Sequence, residues 1–233
     1  MKAILVLLMF CPPLLGETFD TQLRVAQQRY DLAQATKLVE ELRRVEDETE
    51  RATLLPQALL LTTELLRIDF EALPDKQHAE RRALGKSIDG NAKEALEILK
   101  GVPESSEAWR VRADLYGVMI RTKYQANKYG KRMEEAIEKA LTLDPMNPRA
   151  YVSAAKPCLF AEAGNRRDLA QANEFLAKAI ECNPELESAW LLKAFAQEEA
   201  QERDKAVDTY KKILERNPTC QPAKERLESL TVP

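Results

Sequence analysis

The pattern from which the fold follows is Glu174-Phe-Leu-Ala-Lys-Ala-Ile-Glu-Cys-Asn-Pro184. It recurs as Glu135-Ala-Ile-Glu-Lys-Ala-Leu-Thr-Leu-Asp-Pro145 and as Asp208-Thr-Tyr-Lys-Lys-Ile-Leu-Glu-Arg-Asn-Pro218. Each copy has paired apolar residues four and five places before the proline, a bulky residue eight places before it, and Asp or Asn immediately before it. Apolar side chains at this spacing share one helix face, and a proline cannot continue the helix. The sequence therefore predicts three amphipathic helices that each end at a proline.

A second pattern follows the prolines that end these helices. An aromatic residue stands six places after each of three prolines, and an alanine stands four places beyond each aromatic. The aromatic and alanine pairs are Trp109 and Ala113, Tyr151 and Ala155, and Trp190 and Ala194. The first pair follows Pro103, which ends a weaker fourth copy of the helix. Because alanine lets a neighbouring helix approach closely, these positions are predicted to lie where helices pack.

These recurring offsets resemble the tetratricopeptide repeat, a helix–turn–helix unit of about 34 residues. Its first helix carries an aromatic and a small residue, its second carries alanines, and a proline closes it. The resemblance implies an all-α fold, arranged as a right-handed α-solenoid of such repeats. We expect three repeats over residues 104–218, degenerate helical hairpins over residues 17–103, and a capping helix over residues 219–233.

Two of the repeats are longer than the third. The interval from aromatic to closing proline is 28 residues from Trp190, but 36 from Trp109 and 33 from Tyr151. We expect the eight and five extra residues at the turns between the paired helices, around residues 123–130 and 156–165. Pro157 falls in the second insertion and is expected to kink or end its helix. Insertions at equivalent turns emerge on one side of a solenoid, which is often the binding side.

The second insertion is also similar to a segment of exported bacterial repeat proteins that include the T component of TRAP-type solute transporters. That segment has a proline followed by an aromatic and a glycine pair. Here Pro157 is followed by Phe160 and by the single Gly164. This similarity implies an apolar small molecule as the alternative to a protein ligand.

The N-terminal part is helical in pattern but less regular. Segments 21–30 and 32–45 predict one hairpin, and segments 57–73 and 75–100 predict a second whose long helix is interrupted or strained near Gly85 and Gly90. Residues 51–66 are apolar on nearly every side. Such a helix is expected to be buried between its neighbours.

Residues 1–16 have the three-part form of a secretory signal. Lys2 precedes an apolar run, and two prolines and Gly16 follow it. The run is far shorter than the roughly 20 residues needed to span a bilayer. We therefore expect a mature chain that begins near Glu17, has no transmembrane segment and is exported, either periplasmic or secreted.

The composition disfavours nucleic-acid-binding proteins and turn-rich β folds. The 233 residues include 35 Lys+Arg against 38 Asp+Glu, a net charge of −3, so the basic footprint of a nucleic-acid-binding protein is missing. Only seven glycines occur, which disfavours turn-rich β folds. After signal removal three cysteines remain, Cys158, Cys182 and Cys220. Their spacing matches no metal or redox motif, so unpaired thiols are favoured over a single disulfide.

Catalytic groups are sparse. The one histidine, His78, lies in a charged segment with neither a second histidine nor a cysteine nearby, which favours a solvated helix face over a metal or triad role. No phosphate-binding glycine loop and no nucleophile elbow occurs. The acidic clusters lie at helical spacing from arginines and are interpreted as surface ion pairs. We therefore expect a non-enzymatic protein without cofactor or metal.

The candidate binding residues come from two places. The resemblance implies that the first helix of each repeat lines a concave groove, with the residues one and five places after each aromatic facing it. The inserted turns add exposed side chains. The candidates are Arg110, Asp114, Tyr124, Tyr129, Lys156, Pro157, Phe160, Leu191 and Phe195.

These residues lack the Lys and Asn set with which some members of the repeat family hold a C-terminal carboxylate. The groove is instead mixed polar in the first repeat and apolar in the third, which suits an extended or helical segment with apolar side chains. The sequence predicts an exported scaffold or adaptor that binds a protein or peptide, and an oligomer is compatible with this pattern. The alternative is a carrier of an apolar small molecule.

Overall fold

The computed structural model describes residues 18–160 and 168–231. The described part contains eleven α-helices and no strand, which confirms the all-α prediction. The helices are α1 (Phe19–Arg29), α2 (Leu32–Leu42), α3 (Glu48–Ala72), α4 (His78–Leu99), α5 (Ser106–Val118), α6 (Lys123–Leu143), α7 (Pro148–Phe160), α8 (Leu169–Cys182), α9 (Glu187–Glu199), α10 (Arg203–Arg216) and α11 (Gln221–Thr231). The predicted signal over residues 1–16 and Gly164 lie outside the described residues.

Neighbouring helices pack in pairs. The closest pairs are α3 with α4, α5 with α6, α7 with α8, and α9 with α10. The first helix of each pair also contacts the first helix of the next pair, so α3, α5, α7 and α9 are in contact in that order. None of the described helices is both long enough and apolar enough to cross a bilayer.

The recurring Asp or Asn before each proline forms the same turn three times. The Oδ1 of Asp144, Asn183 and Asn217 accepts a hydrogen bond from the backbone N–H two residues later, at 2.9, 3.0 and 3.1 Å. The backbone carbonyl of each of these residues also accepts from the N–H three residues later. The side chain thus holds the chain in a tight turn directly after the helix. This contact is the physical reason for the repeated Asp/Asn-Pro pair.

The aromatic residue six places after the proline closes the same turn. The Tyr151 hydroxyl donates to the carbonyl oxygen of Pro145 at 3.0 Å, and the Trp190 indole N–H donates to that of Pro184 at 2.8 Å. Trp109 differs, because its indole nitrogen is buried and has no hydrogen-bond partner in the described part of the chain. The offset of six residues therefore reflects a hydrogen bond between the next helix and the turn in two of three cases.

The alanines beyond each aromatic lie in the packed interior. Ala155 and Ala194 are fully buried, and Ala113 is 1% exposed. Ala140 and Ala179, on the helices that end at the prolines, are also fully buried. The predicted positions of close packing are therefore buried as expected.

Helix α3 is the centre of the largest hydrophobic cluster, which also takes side chains from α1, α2, α4, α5 and α6. Its buried residues lie on nearly every side, as the sequence predicted. Two of them are threonines, and the hydroxyls of Thr62 and Thr63 donate to the carbonyls of Ala58 and Leu59 at 2.9 and 2.6 Å. These bonds satisfy polar groups that would otherwise cost free energy in the core.

Two expectations about helix interruptions are corrected. Residues 123–130, expected at a turn, form the first two turns of α6, which has 21 residues against 14 in α8 and in α10. Thr122 caps α6, since its side chain accepts from the Gln125 N–H, and the following residues favour a helix. Pro157 lies inside α7, which continues to Phe160, and the other expected effect, a kink, stays a prediction. Helix α4 is continuous through both of its glycines.

The N-terminal helical hairpin contacts the last helices of the described chain. Tyr30, in the left-handed conformation with φ 53°, packs into the hydrophobic cluster formed by α9, α10 and α11. Its hydroxyl donates to Glu187 Oε1 at 3.1 Å. The side-chain amide of Asn217 donates to the carbonyl of Gln28 at 3.2 Å and to Glu187 Oε2 at 2.6 Å. The turn between α1 and α2 is thereby joined to the last helix pair.

Candidate functional site

The structure divides the nine candidate residues into separate groups. Arg110, Asp114 and Lys156 belong to a buried cluster of charges. Phe160 and Phe195 form an aromatic pair at the end of α7. The remaining four do not join either group through a polar or ring contact.

Asp114 is the centre of the charged cluster. Its carboxylate accepts from the Arg110 guanidinium at 2.9 Å and from the Lys156 ammonium at 2.9 Å. The Ser153 hydroxyl donates to the same carboxylate at 3.0 Å. Lys156 also donates to Glu64 at 3.0 Å. Because these residues lie on α3, α5 and α7, the cluster links the first helices of three successive pairs.

Further charges complete the cluster. Glu107 Oε1 lies 2.5 Å from the Arg110 guanidinium and 3.5 Å from that of Arg149. Three cations and three carboxylates therefore neutralise one another, and the side chains of Arg110 and Asp114 are only 9% and 5% exposed. A set that is internally paired in this way is suited to holding helices together rather than to gripping a charged ligand.

The pKa values within the cluster follow from burial and from these neighbours. Burial alone would raise the pKa of Asp114, but Lys156 and Arg110 outweigh it and hold that pKa below its usual range. Burial alone would lower the pKa of Lys156, but Asp114 and Glu64 raise it above its usual range. Both groups therefore stay charged near neutral pH, so neither is poised to exchange a proton.

Glu64 was not among the site residues predicted from the sequence. It is the only charged residue in the apolar stretch 52–66, and it lies 92 residues from its partner Lys156. A lone acid in an apolar stretch that is expected to be buried implies a basic partner, because an unpaired buried charge is costly. That argument would have identified Glu64 as a paired residue, although it would not have identified the partner.

The aromatic pair joins α7 to α9. The Phe160 and Phe195 ring centroids are 5.2 Å apart with the planes tilted by 34°. Phe195 is half-buried and packs on the hydrophobic cluster between α7, α8 and α9, whereas Phe160 is 58% exposed. Pro157 is half-buried one turn earlier in α7. Leu191 packs on a different cluster, with α10 and α11, so it is not brought to this pair.

The two tyrosines of α6 have opposite environments. Tyr124 is 75% exposed in the first turn of the helix. Tyr129 is 8% exposed and stacks on Tyr116 with the ring centroids 6.1 Å apart. Because residues 123–130 are helical, they point in several directions around α6 and do not form one exposed loop. Tyr129 thus packs in the core, contrary to its expected place on a recognition surface.

Groups with catalytic potential are dispersed. His78 is exposed at the start of α4. Cys158, Cys182 and Cys220 are free thiols, and burial raises the pKa of Cys220 to about 11, which keeps it protonated. Within the described residues, no three His, Cys, Asp or Glu side chains come together in a way that could hold a metal ion.

No protein-family model matches the chain, and no curated protein matches it significantly.

Proposed function

We propose that this protein is a non-enzymatic binding module built as a right-handed α-solenoid of tetratricopeptide-like repeats. Three features support the repeat assignment: the pairwise packing of helices, the Asx turn that recurs at Asp144, Asn183 and Asn217, and the aromatic hydrogen bond to the preceding proline carbonyl. In this proposal the module acts as a scaffold or adaptor for a protein or peptide.

The observation that carries the binding role is the exposure of Phe160. A large apolar side chain that is 58% exposed leaves apolar area in water, and a partner that covers it recovers free energy. The Phe160 ring packs against the Phe195 ring, so one side of it is held by a neighbouring helix. Lys156, one turn earlier in α7, is fixed by Asp114 and Glu64. The helix that presents Phe160 is therefore held in place before a partner arrives, which reduces the entropy lost on binding.

The test uses peptides selected from a phage-displayed random library on the purified chain, since no natural partner is assigned. We expect selected peptides to carry apolar side chains and to bind Phe160→Ala at least about tenfold more weakly, because truncation of an anchor costs about 2 kcal/mol or more. The melting temperature should stay within a few degrees. Ile68→Ala is the matched control, because Ile68 on α3 is 52% exposed and lies outside the aromatic pair.

Two results would contradict the proposal. One is a library that yields no binding peptide. The other is a set of peptides whose affinity falls equally in the Phe160 and Ile68 variants. If Phe160→Ala melts several degrees lower and its folded fraction binds normally, Phe160 is a packing residue instead.

The second candidate, transport or storage of an apolar small molecule, is favoured by the contact between Phe160 and Phe195 on adjoining helices, with Pro157 one turn before Phe160 in α7. Native mass spectrometry of the purified protein separates the two. A co-purified small ligand that is lost in Phe160→Ala supports the carrier, whereas an unliganded mass together with peptide binding supports the scaffold.

We also propose that the chain is exported and begins near Glu17 after signal cleavage. The support is the signal-like sequence of residues 1–16. N-terminal sequencing of the protein from its native source tests this. An intact Met1 product recovered from the cytosol would contradict it.

A further inference from the structure

A cleft of about 490 Å³ lies away from the aromatic pair. Its walls come from the end of α3, the first half of α4 and the start of α6. The two additional turns of α6 contribute Gln125 to this wall, so the lengthened helix takes part in forming the cleft.

The cleft is strongly cationic. Four basic side chains line it, namely Arg81, Arg82, Lys86 and Arg121, against the single carboxylate of Asp89. The lining thus carries a net charge of about +3, although the whole chain carries −3. The positive charge is therefore a local property of this cleft and does not reflect the composition of the protein.

Two of the four cations build the walls. Arg121 donates to Asp89 at 2.7 Å, and its side chain is only 9% exposed. Arg81 donates to the carbonyl oxygens of Phe70 and Leu73 at 3.1 and 2.5 Å. These bonds hold both guanidinium groups in fixed positions. Arg81 also pairs with Asp75 at 3.6 Å, but the Asp75 side chain is fully exposed, so water screens this pair.

The other two cations are free to bind. Arg82 and Lys86 are exposed, one turn apart on α4, and neither makes an ion pair within residues 18–160 and 168–231. Like charges four residues apart in a helix repel each other. A bound anion removes this repulsion and forms charge-assisted hydrogen bonds with both side chains.

The cleft also has an apolar wall. The Phe70 ring faces the Arg81 guanidinium, whose central carbon is 4.3 Å from the ring centroid. Gly85 contributes no side chain, and a Cβ at that position would meet Arg121 Nη2 at 3.8 Å. A ligand with an apolar body beside its anionic group fits this combination better than a bare ion.

We infer that this cleft binds a small ligand that carries an oxyanion, a phosphate or a carboxylate, on an apolar body. Arg82 and Lys86 contact the oxyanion, Arg81 and Arg121 add fixed positive charge, and Phe70 packs against the apolar part. This inference is independent of the proposed peptide site, since the two share no residue.

Isothermal titration with phenyl phosphate, benzoate and inorganic phosphate at low ionic strength tests the inference. We expect phenyl phosphate or benzoate to bind more tightly than inorganic phosphate, and the tighter of the two identifies the oxyanion. The double variant Arg82→Gln/Lys86→Gln should weaken that binding at least about tenfold. Phe70→Ala should reduce the preference for the aromatic ligand over inorganic phosphate.

The matched control is Lys211→Gln/Lys224→Gln, which removes two exposed positive charges from α10 and α11, outside the cleft. It should bind the ligand as the unchanged protein does, and so should Phe160→Ala. The inference is overturned if none of the three probes binds at millimolar concentration, or if both double variants weaken binding equally. The second result would show attraction to overall charge without a site.

Discussion

The Lys156 ammonium of α7 donates a hydrogen bond of 2.9 Å to the Asp114 carboxylate of α5, across 42 residues of sequence. The carboxylate is 5% exposed, so it depends on this partner and on Arg110 for the interactions that water would otherwise supply. The pair fixes α5 and α7 relative to each other, and Lys156 lies one turn from the exposed Phe160. Stability and the presentation of the proposed binding residue are thus linked through one carboxylate.

The first prediction concerns Asp114→Asn. The amide keeps the shape but removes the negative charge, which leaves Arg110 buried with Glu107 as its acidic partner among the described residues. We expect the free energy of unfolding to fall by about 3 kcal/mol, as when one partner of a buried ion pair is removed. Urea denaturation followed by circular dichroism measures it. The control is Glu202→Gln, which breaks an exposed pair with Lys205 and should cost less than about 1 kcal/mol.

The second prediction concerns how the difference in stability between the original protein and Asp114→Asn depends on pH. The pKa of Asp114 is lower in the folded protein than in the unfolded chain, because Lys156 and Arg110 outweigh its burial. Its stabilising contribution is therefore complete above the unfolded pKa of about 3.9 and is lost as the pH falls through the lower folded value. Urea denaturation from pH 7 down to acid should give parallel curves for the original protein and Asp114→Asn, which converge only below about pH 4. Convergence above pH 5 would contradict the assignment.

The third prediction concerns Ala194→Trp. Ala194 is fully buried in the cluster formed by α9, α10 and α11, so an indole there must displace its neighbours. We expect a loss of about 1–3 kcal/mol or more, measured as a lower melting temperature. Ala170→Trp, at an exposed position on α8, provides the control and should melt nearly as the original does. An unchanged midpoint for Ala194→Trp would mean that this contact is absent in solution.

The fourth prediction concerns the contact between the chain ends. Tyr30→Ala removes both the ring from the last cluster and the hydrogen bond to Glu187, so we expect a loss of about 3 kcal/mol. Tyr30→Phe keeps the ring and should lose about 1 kcal/mol. In Tyr30→Ala, hydrogen exchange should quicken around Asn217 and Cys220 as well as around position 30. Tyr124→Ala, at a largely exposed tyrosine, should change neither quantity. Faster exchange confined to α1 would indicate that the ends do not meet.

The sequence was sufficient for the features that local contacts control. Each Asp or Asn before a proline makes its hydrogen bond within two residues, and each alanine position follows from helical periodicity. Such interactions involve neighbours along the chain, so their residues recur at fixed offsets and can be recognised. The sequence also indicated that the middle of α3 is buried, because the apolar residues of segment 51–66 leave no polar face.

The contacts between residues far apart in the sequence were decided by the tertiary structure alone. The distance in sequence from Trp109 to its closing proline indicated eight extra residues near position 123. Only the packed structure shows that they are helical and that Tyr129 stacks on Tyr116. Glu64 and Lys156 are 92 residues apart, and Tyr30 and Glu187 are 157 apart. Such partners are selected by the angles at which successive helix pairs pack. Small angular differences accumulate over successive helix pairs, and no fixed spacing in the sequence records their sum.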